Sequence, residues 1–308
     1  MSSQQSVAAV VVTYNRRPLL EECLQALLAQ SHTLDGLIVV DNLSTDGTVD
    51  WLQRWLPLNA PMARALYLGE NSGGAGGFSA GLKEAVAQGF DWIWMMDDDA
   101  RPHLDALEKL LDVSDDAANI YGSLAVSGDR TSWETTLISE NNRVVSTAAN
   151  VPRLASVHAL PFLGFMIHRS QVERIGFPDA SYFIAADDVE YSIRARRAGS
   201  EVLIAGESKI EHPESDRYQA NLGLFKVTCL RLAPWKRYYD TRNRLLIARQ
   251  YYGMRLFTEA IPGSFVRLVA ALLYEPRKLA QLWAFTAGLV DGLLGRKGRR
   301  HEAWGIRP

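Results

Sequence analysis

Cysteine is nearly absent from this chain, and so are long uncharged apolar runs. The 308 residues include two cysteines, Cys23 and Cys229, and neither has a neighbour at metal-ligand spacing. This excludes a disulfide framework and a cysteine-based zinc site. No uncharged apolar run reaches about 18 residues, so we expect no membrane-spanning helix. The segment Met1–Gln5 lacks a basic stretch, so no signal peptide is expected and a reducing, cytoplasmic setting is predicted.

Charge is distributed very unevenly along the chain. Residues 1–216 carry 16 Lys and Arg against 30 Asp and Glu, a balance of −14, whereas residues 217–308 carry 17 against 5, a balance of +12. Such an asymmetry indicates two parts with different partners. We therefore predict a catalytic domain over 1–216 and a basic helical region over 217–308.

Apolar runs of strand length alternate with helical patterns through the first hundred residues. Helices are expected after Pro18, after the turn Ser44–Thr48, and over Phe78–Ala87. The predicted strands are Val7–Thr13, Leu37–Val40, Ala65–Leu68 and Phe90–Met96. This alternation predicts an α/β fold whose mostly parallel sheet is covered by helices on both faces.

Three adjacent aspartates, Asp97, Asp98 and Asp99, end the fourth predicted strand. Like charges at the end of a buried strand are costly unless a cation lies among them. Carboxylate oxygens suit Mg²⁺ or Mn²⁺, and open α/β sheets bind ligands at the carboxyl ends of their strands. The alternative is an acidic loop or a helix N-terminus, although capping a helix requires only one Asp.

A glycine-rich segment, Asn71–Gly77, precedes the third predicted helix. Glycines allow backbone amides to approach a ligand, and a helix N-terminus attracts anions. The spacing is that of neither a P-loop nor a dinucleotide fingerprint. A tight strand-to-helix turn is the alternative.

Two further segments carry candidate polar groups. Asp187 and Asp188 precede a helical pattern, so they are expected at a helix N-terminus, where the helix dipole stabilises an anion. An aspartate held within hydrogen-bond reach of a hydroxyl group can act as a general base. His212 follows a strand-like run, and a neutral imidazole is a common metal ligand, although a lone histidine is more often structural.

Several segments carry a resemblance to a known family. In sequence order they are Val10–Arg16, Val39–Asn42, Asn71–Phe78, Asp97–Asp99, Asp187–Tyr191 with Arg194, and His212–Pro213. The first two and the three aspartates resemble the nucleotide-sugar half of family 2 glycosyltransferases of the GT-A fold, and the glycine-rich segment is similar to that of galactofuranosyltransferases and related bacterial rhamnosyltransferases. The last two segments resemble the part of that family that carries the catalytic base and its late metal-binding histidine. The match spans residues 7–215.

The resemblance implies an inverting transfer from a nucleotide-diphosphate sugar. It makes Asp188 the base, with Asp187 orienting it or holding the acceptor. It implies that Asp97, Asp99 and His212 hold Mn²⁺ or Mg²⁺. Asp41 would accept a hydrogen bond from the nucleotide base or ribose. The complete set of implied donor contacts is Thr13, Tyr14, Arg17, Asp41, Asn71, Gly73, Gly74, Gly76, Gly77, Trp94 and Asp98.

The acceptor side is predicted from the later segments. Glu190 is expected to be structural or to contact the acceptor, and Arg242 and Arg244 could bind a diphosphate bidentately or lie on a basic helix face. Apolar stretches over Ile261–Tyr274 and Leu279–Leu294, followed by a basic tail, suit the inner face of an anionic membrane. The alternative is a helical bundle packed on the catalytic domain with a solvated tail. The acceptor would be a glycan, either free or linked to a polyprenyl diphosphate.

Several alternatives stay open. The donor is predicted to be UDP-galactofuranose, with dTDP-rhamnose as the second choice. A nucleotidyltransferase also uses carboxylates and a metal, but the first loop, Tyr14–Arg17, lacks the glycines expected for a triphosphate site. A nucleic-acid-binding module is disfavoured because no reader motif is present. The sequence does not predict the oligomeric state.

Overall fold

The structure is a computed structural model that describes residues 5–223 and 225–307, apart from the side chains of Glu134 and Ser139. Residues 1–4 lie outside this range. They make up most of the segment for which no signal peptide is expected. The chain divides into two compact units. The first comprises residues 1–180 and 188–214, and the second comprises 181–187 and 215–308. The functional division expected at residue 216 stays a prediction.

The described residues of the first unit form one eleven-stranded sheet. Its main path is β3-β2-β1-β4-β10-β6-β11-β5, with β7 beside β6, β8 beside β7, and β9 beside β11. The strands are β1 (Val7–Thr13), β2 (Gly36–Asp41), β3 (Ala63–Tyr67), β4 (Trp92–Asp97), β5 (Arg101–Pro102), β6 (Ile120–Ser127), β7 (Arg130–Leu137), β8 (Arg143–Thr147), β9 (Ala155–Ser156), β10 (Leu163–His168) and β11 (Val202–Glu211).

Strands β1 to β4 are parallel, which confirms the expected open α/β sheet. Strand β10 runs antiparallel to both β4 and β6, and β11 runs parallel to β6, so the sheet is mixed and mostly parallel. The helices of this unit are α1 (Arg17–Leu28), α2 (Thr48–Asn59), α3 (Gly73–Ala87), α4 (Ala106–Leu111), α5 (Arg169–Ile175) and α6 (Asp187–Arg197).

Side-chain alternation along β1 divides the core into two layers. Val7, Ala9 and Val11 pack on one face of the sheet with α1 and α2, and Val10 and Val12 pack on the other face with α3. Every residue of β1 is buried, as expected for a central strand with helices on both faces. This packing fixes the position of the strand ends, where the polar residues follow.

The second unit contains a two-stranded antiparallel hairpin and three long helices. One π-helical turn, Leu256–Ala260, leads into α8. The elements are β12 (Arg217–Asn221), β13 (Lys226–Leu230), α7 (Pro234–Tyr251), α8 (Ile261–Tyr274) and α9 (Lys278–Leu293). Helices α7 and α9 approach closely because α9 has glycine at two contact positions. A Cβ on Gly288 would lie 2.5 Å from the carbonyl oxygen of Tyr238, and one on Gly292 would lie 2.9 Å from Leu245.

Two features of the C-terminal region bear on its expected contact with a membrane. The basic tail is folded, since Arg296 and Arg300 contact the fully buried carboxylate of Asp291. Within the described range, one helical segment, Leu256–Tyr274, has the length and mean hydropathy of a membrane span. The sequence analysis considered only uncharged apolar runs and so did not single out this segment, which contains two charged residues. Of its most apolar 18-residue stretch, 28% is buried within the protein. Length and composition alone do not place this segment in a bilayer.

Candidate active site

The carboxyl ends of β1, β2 and β4 meet at one edge of the sheet. Thr13 is paired in register with Asp41, and Val12 is paired with Asp97. The polar residues that end these strands therefore lie side by side, as the sequence predicted. This edge is the expected ligand-binding position of an open α/β sheet.

Asp98 is buried and turned towards β1. Its Oδ2 accepts a hydrogen bond from the Thr13 hydroxyl at 2.8 Å and from the Tyr14 amide at 3.4 Å. Burial raises the pKa of Asp98 to about 6, against the opposing effects of the Thr13 hydrogen bond and the positive charge of Arg16. Thr13, Tyr14 and Asp98 thus form one connected group.

Arg16 is a site residue that the sequence interpretation missed. Its Nη1 lies 2.7 Å from Asp99 Oδ2 and 3.4 Å from Asp98 Oδ1. Burial opposes the charged form, but the neighbouring aspartates outweigh it and raise the pKa of Arg16. Arg17, which had been expected here, begins α1 and places its guanidinium 5.9 Å from the ring centre of Trp51. The signal lay in Pro18, a residue favoured in the first turn of a helix, which places Arg16 before α1.

Asp99 also contacts His212, which follows β11. His212 Nε2 lies 3.5 Å from Asp99 Oδ1, and its backbone amide donates to the carbonyl of Val126. Burial acts to raise the pKa of Asp99, but His212 and Arg16 outweigh it and the pKa is lowered. The indole of Trp133 stacks against the imidazole with ring centres 6.1 Å apart and is 36% exposed, an apolar surface that the sequence interpretation did not single out.

The imidazole nitrogen and the carboxylate oxygens at this edge are of the kind that ligate a hard divalent cation. His212 Nδ1 is buried and has no hydrogen-bond partner among the described residues, and carboxylate oxygens lie beside the ring. Oxygen ligands with one imidazole fit Mn²⁺ or Mg²⁺. Across residues 5–223 and 225–307, no three His, Cys, Asp or Glu side chains are gathered into a complete cage. Asp99 and His212 are the two predicted metal ligands that lie together at this edge.

Asp41 is buried at the end of β2. Its Oδ2 accepts from the Ser44 amide at 3.0 Å, while its Oδ1 is buried without a hydrogen-bond partner in the described part of the chain. A buried acceptor without a donor is costly, so an additional donor would stabilise it. The side chain of the neighbouring Asn42 already has hydrogen-bond partners within the protein. Its Nδ2 donates to the Gly73 carbonyl, and its Oδ1 accepts from the Ser72 backbone amide.

The glycine-rich segment is helical rather than an open loop, which corrects the expected boundary. Helix α3 begins at Gly73, whose φ of +71° favours glycine. The Asn71 side chain accepts from the Gly73 amide. Gly76 and Gly77 are required by close packing, since a Cβ would lie 2.3 Å from Ser72 Oγ and 2.4 Å from Val12 Cγ1. Packing accounts for these two glycines without a ligand, and their assignment to the donor site stays a prediction.

Gly74 and Trp94 were both predicted to contact the donor, but their surroundings differ. A Cβ on Gly74 would meet no described atom within 4 Å, so space is open there. Trp94 is fully buried in the core layer formed with α1 and α4. A side chain in that position does not line a sugar pocket, which corrects its assignment.

Helix α6 begins at Asp187, as the sequence predicted. Asp188 is half-buried, and its Oδ1 accepts from the Val189 amide at 2.7 Å. Glu190 is 2% exposed and pairs with Arg194, which also donates to the carbonyl of Phe177 at 2.7 Å. This buried pair favours the structural alternative for Glu190 over a contact with the acceptor.

Arg242 and Arg244 of α7 have different environments within the second unit. Arg242 is fully buried, and its guanidinium donates to the backbone carbonyls of Gly298 and Tyr182. Its donors are directed at protein, so it does not bind a diphosphate and that prediction is wrong. Arg244 is 45% exposed and pairs with Asp240 at 2.8 Å.

Comparison with known proteins identifies the family. The sequence profile of Glycosyl transferase family 2 matches residues 8–176. This chain belongs to glycosyltransferase family 2. The enzyme is 34% identical to the galactofuranosyltransferase GlfT1 of Mycobacterium tuberculosis (strain ATCC 25618 / H37Rv) over 318 residues, which cover 97% of each chain. It is 31% identical to GlfT1 of Mycolicibacterium smegmatis over 317 residues, 98% of this chain and 99% of the relative.

A solved structure shows the same fold for this glycosyltransferase. The mannosyltransferase PcManGT from Pyrobaculum calidifontis, solved with GDP-Man and Mn²⁺, superposes with a TM-score of 0.59 at 17% identity. The match covers 96% of this chain and 89% of that one. The GT-A architecture predicted from the sequence motifs is thereby confirmed.

Proposed function

We propose that this glycosyltransferase transfers a galactofuranosyl residue from UDP-galactofuranose to a lipid-linked or polysaccharide glycan. The observation that carries this proposal is the identity of 34% over 97% of the chain to a protein named as a galactofuranosyltransferase. The alignment spans both compact units, so it includes the C-terminal region as well as the nucleotide-sugar half. The transfer would invert the anomeric centre, as the family resemblance implies.

The donor would bind at the carboxyl ends of β1, β2 and β4. The unpartnered Oδ1 of Asp41 would accept a hydrogen bond from the nucleotide base or ribose. Tyr14 and the backbone at Gly73 and Gly74 would complete the nucleotide-sugar contacts. Asp98, through Thr13 and Tyr14, would hold the loop that follows β1.

Asp97, Asp99 and His212 would hold Mn²⁺ or Mg²⁺. A divalent ion bound there would neutralise charge on the departing nucleoside diphosphate. Support comes from the Asp99–His212 pair and from the Mn²⁺ in the mannosyltransferase of the same fold. Arg16 adds a further positive charge beside this pair.

Asp188 would take the proton from the acceptor hydroxyl as its oxygen attacks the anomeric carbon. Its place in the first turn of α6 favours the ionised carboxylate that a base requires. Asp187 would orient this group or hold the acceptor, and Arg244 would contact the acceptor phosphate. Apolar side chains exposed on α8 and α9 would hold the enzyme at an anionic membrane surface, where a polyprenyl-linked acceptor resides.

The base assignment is tested with Asp188→Asn. We expect UDP release from UDP-galactofuranose in the presence of a lipid-linked glycan to fall by about 10²–10⁴-fold, because proton transfer contributes a factor of that order. The Kd for UDP, measured by calorimetry with Mn²⁺, should stay within about threefold, since the substitution preserves size and hydrogen bonding.

Asp105→Asn is the matched control, because it removes a carboxylate whose known partner is Lys109 on α4. We expect wild-type turnover for this variant. Equal loss of UDP binding and turnover in Asp188→Asn would contradict the base role. Tighter binding of dTDP or GDP than of UDP would contradict the proposed donor.

A further inference from the structure

The segment that leads into α6 has an unusual backbone. Phe183, Ala185 and Ala186 have φ values of 68°, 69° and 60°. Residues with a Cβ rarely adopt this left-handed region, and a cluster of such residues persists only where the surroundings enforce it. The segment ends directly at Asp187 and Asp188, the first residues of α6. Its conformation therefore needs a source of stabilisation.

One asparagine of α7 provides much of that stabilisation. Asn243 Nδ2 donates to the carbonyl oxygens of Tyr182, Ile184 and Ala185 at 3.1, 2.9 and 2.7 Å. Asn243 is fully buried. All of these contacts lie within the second unit, which includes residues 181–187. Because an amide has two hydrogens, one of them is shared between two carbonyls.

Arg242 reinforces the same segment. Its Nη2 donates to the Tyr182 carbonyl at 2.7 Å, and its Nε donates to Asn243 Oδ1 at 2.8 Å, which fixes the orientation of the asparagine amide. Its guanidinium carbon lies 4.7 Å from the ring centre of Tyr239. The Gly298 amide donates to the Ser181 carbonyl at 2.7 Å, and Arg242 donates to the Gly298 carbonyl. The folded basic tail thus closes the same network.

We propose that Arg242 and Asn243 are positioning residues for the reaction. They hold Ser181–Ala186 in its left-handed path and so fix the direction in which α6 begins with Asp187 and Asp188. The proposal rests on the proposed function for the role given to Asp188. A general base must lie within hydrogen-bond reach of its proton, and a displacement of about 1 Å can cost about 10²-fold in rate.

Asn243→Ala tests the proposal, with hydrogen exchange as the first readout. Without the amide, the carbonyls of Ile184 and Ala185 lose this donor, while the Tyr182 carbonyl keeps the one from Arg242, and we expect the backbone amides of residues 183–188 to exchange at least about tenfold faster. We expect kcat to fall at least about tenfold while KM for the nucleotide sugar stays within about threefold. Asn243→Ser, which retains one donor, should lie between wild type and Asn243→Ala in both measurements.

Tyr218→Phe is the matched control in the same unit. It removes the hydrogen bond to Glu275 at 2.7 Å but retains the ring, and the lost hydroxyl is bonded to that carboxylate instead of to the carbonyls of 181–186 or to the tail. We expect a lowered Tm with kcat within about twofold of wild type, because loss of one hydrogen bond to a buried carboxylate destabilises the unit without moving the segment. Equal falls in kcat for Tyr218→Phe and Asn243→Ala at equal Tm would overturn the proposal.

Failure of the proposed function gives a different pattern. If Asp188→Asn retained turnover, Asp188 would not be the base, yet Asn243→Ala would still accelerate exchange at 183–188. If exchange in Asn243→Ala and Asn243→Ser matched wild type, the positioning role would be overturned whatever the activity of Asp188→Asn. Should Asn243→Ala fail to fold, Asn243→Ser carries both measurements.

Discussion

At the scale of single residues, Arg16 acts as an internal counter-ion. It lies between the carboxylates of Asp98 and Asp99, the position to which a divalent cation would also be attracted. Since its own side chain is 48% exposed, the Arg16–Asp99 pair contributes no more than about 1 kcal/mol. A cation that took the Asp99 carboxylate as a ligand would compete with Arg16 for its negative charge.

We therefore predict that Arg16→Gln increases the affinity for Mn²⁺. About 1 kcal/mol corresponds to about fivefold in Kd, which sets the upper limit of the effect. The measurement is calorimetric titration of the purified protein with Mn²⁺ and without nucleotide. Thermal unfolding without metal should show a lower Tm for the variant, because the carboxylates lose their neutralising charge.

Arg17→Gln is the control for this experiment. The guanidinium of Arg17 lies over the ring of Trp51 instead of beside the aspartates that end β4, so its loss should leave the Kd for Mn²⁺ unchanged. Weaker Mn²⁺ binding by Arg16→Gln than by wild type would show that Arg16 supports the metal site instead of competing for it.

Individual residues differed in how far sequence predicted them. Asp98 and Asp99 were singled out because adjacent charges at the end of a buried strand are costly unless they bind something, whereas His212 was singled out by the family resemblance. Arg242 was misassigned because an Arg-rich helix face looks the same in sequence whether its guanidinium faces solvent or backbone carbonyls. Trp94 was misassigned because the alternation of a strand does not reveal which face borders a ligand.

At the scale of elements, α3 and β1 define the geometry of the donor side. Gly77 brings the helix against Val12, and Gly81 brings it against Val10, where added Cβ atoms would each lie 2.4 Å from a methyl carbon. Gly74, in the first turn, would meet nothing within 4 Å. The glycines of this segment therefore serve two purposes, close packing further along the helix and open space at its start.

We predict that Gly77→Ala destabilises the protein and Gly74→Ala does not. Overpacking in the core costs about 1–3 kcal/mol, whereas Gly→Ala in a helix without a clash gains about 0.5–1 kcal/mol. Urea denaturation measures both effects. If the Gly74 backbone contacts the donor, Gly74→Ala should also weaken binding of UDP-galactofuranose. Equal stability of the two variants would contradict the role given to packing.

Sequence predicted the parallel half of the sheet but not the other half. Strands β1 to β4 are β-branched or apolar runs between turn residues, which is the pattern of buried parallel strands. Strands β7 and β8 were not predicted because β7 is largely polar in sequence and β8 is mostly exposed, so neither has an apolar run. Strands β5 and β9 are only two residues long. Their order depends on long-range pairing, which local pattern does not encode.

At the scale of the whole molecule, the charge balance is −14 over residues 1–216 and +12 over residues 217–308. The basic region also exposes apolar side chains on two of its helices. Helix α8 exposes Phe265, Val269 and Leu273 at intervals of four residues, which is one helical face. Helix α9 exposes Leu279, Leu282 and Trp283. Large exposed apolar surfaces commonly mark membrane or protein contacts.

The exposed cations Arg277 and Lys278 lie between these two helices and suit an anionic membrane. The folded basic tail contributes less than expected, since Arg296 and Arg300 are paired with Asp291. We infer that the apolar side chains, more than the tail, would determine membrane attachment.

The last prediction concerns that attachment. We expect the full-length protein to sediment with vesicles containing anionic lipid at low salt and less so at high salt, because the basic residues contribute by charge. Phe265→Ser with Leu273→Ser should reduce the bound fraction at least about tenfold, since each buried apolar side chain contributes about 1.5–3 kcal/mol. The control is Leu58→Ser on α2, an 84% exposed leucine of the first unit, which should bind as wild type does. If the double variant changed the sedimentation mass of the free protein but not vesicle binding, the apolar face would be a contact between copies of the chain, and the membrane proposal would be wrong.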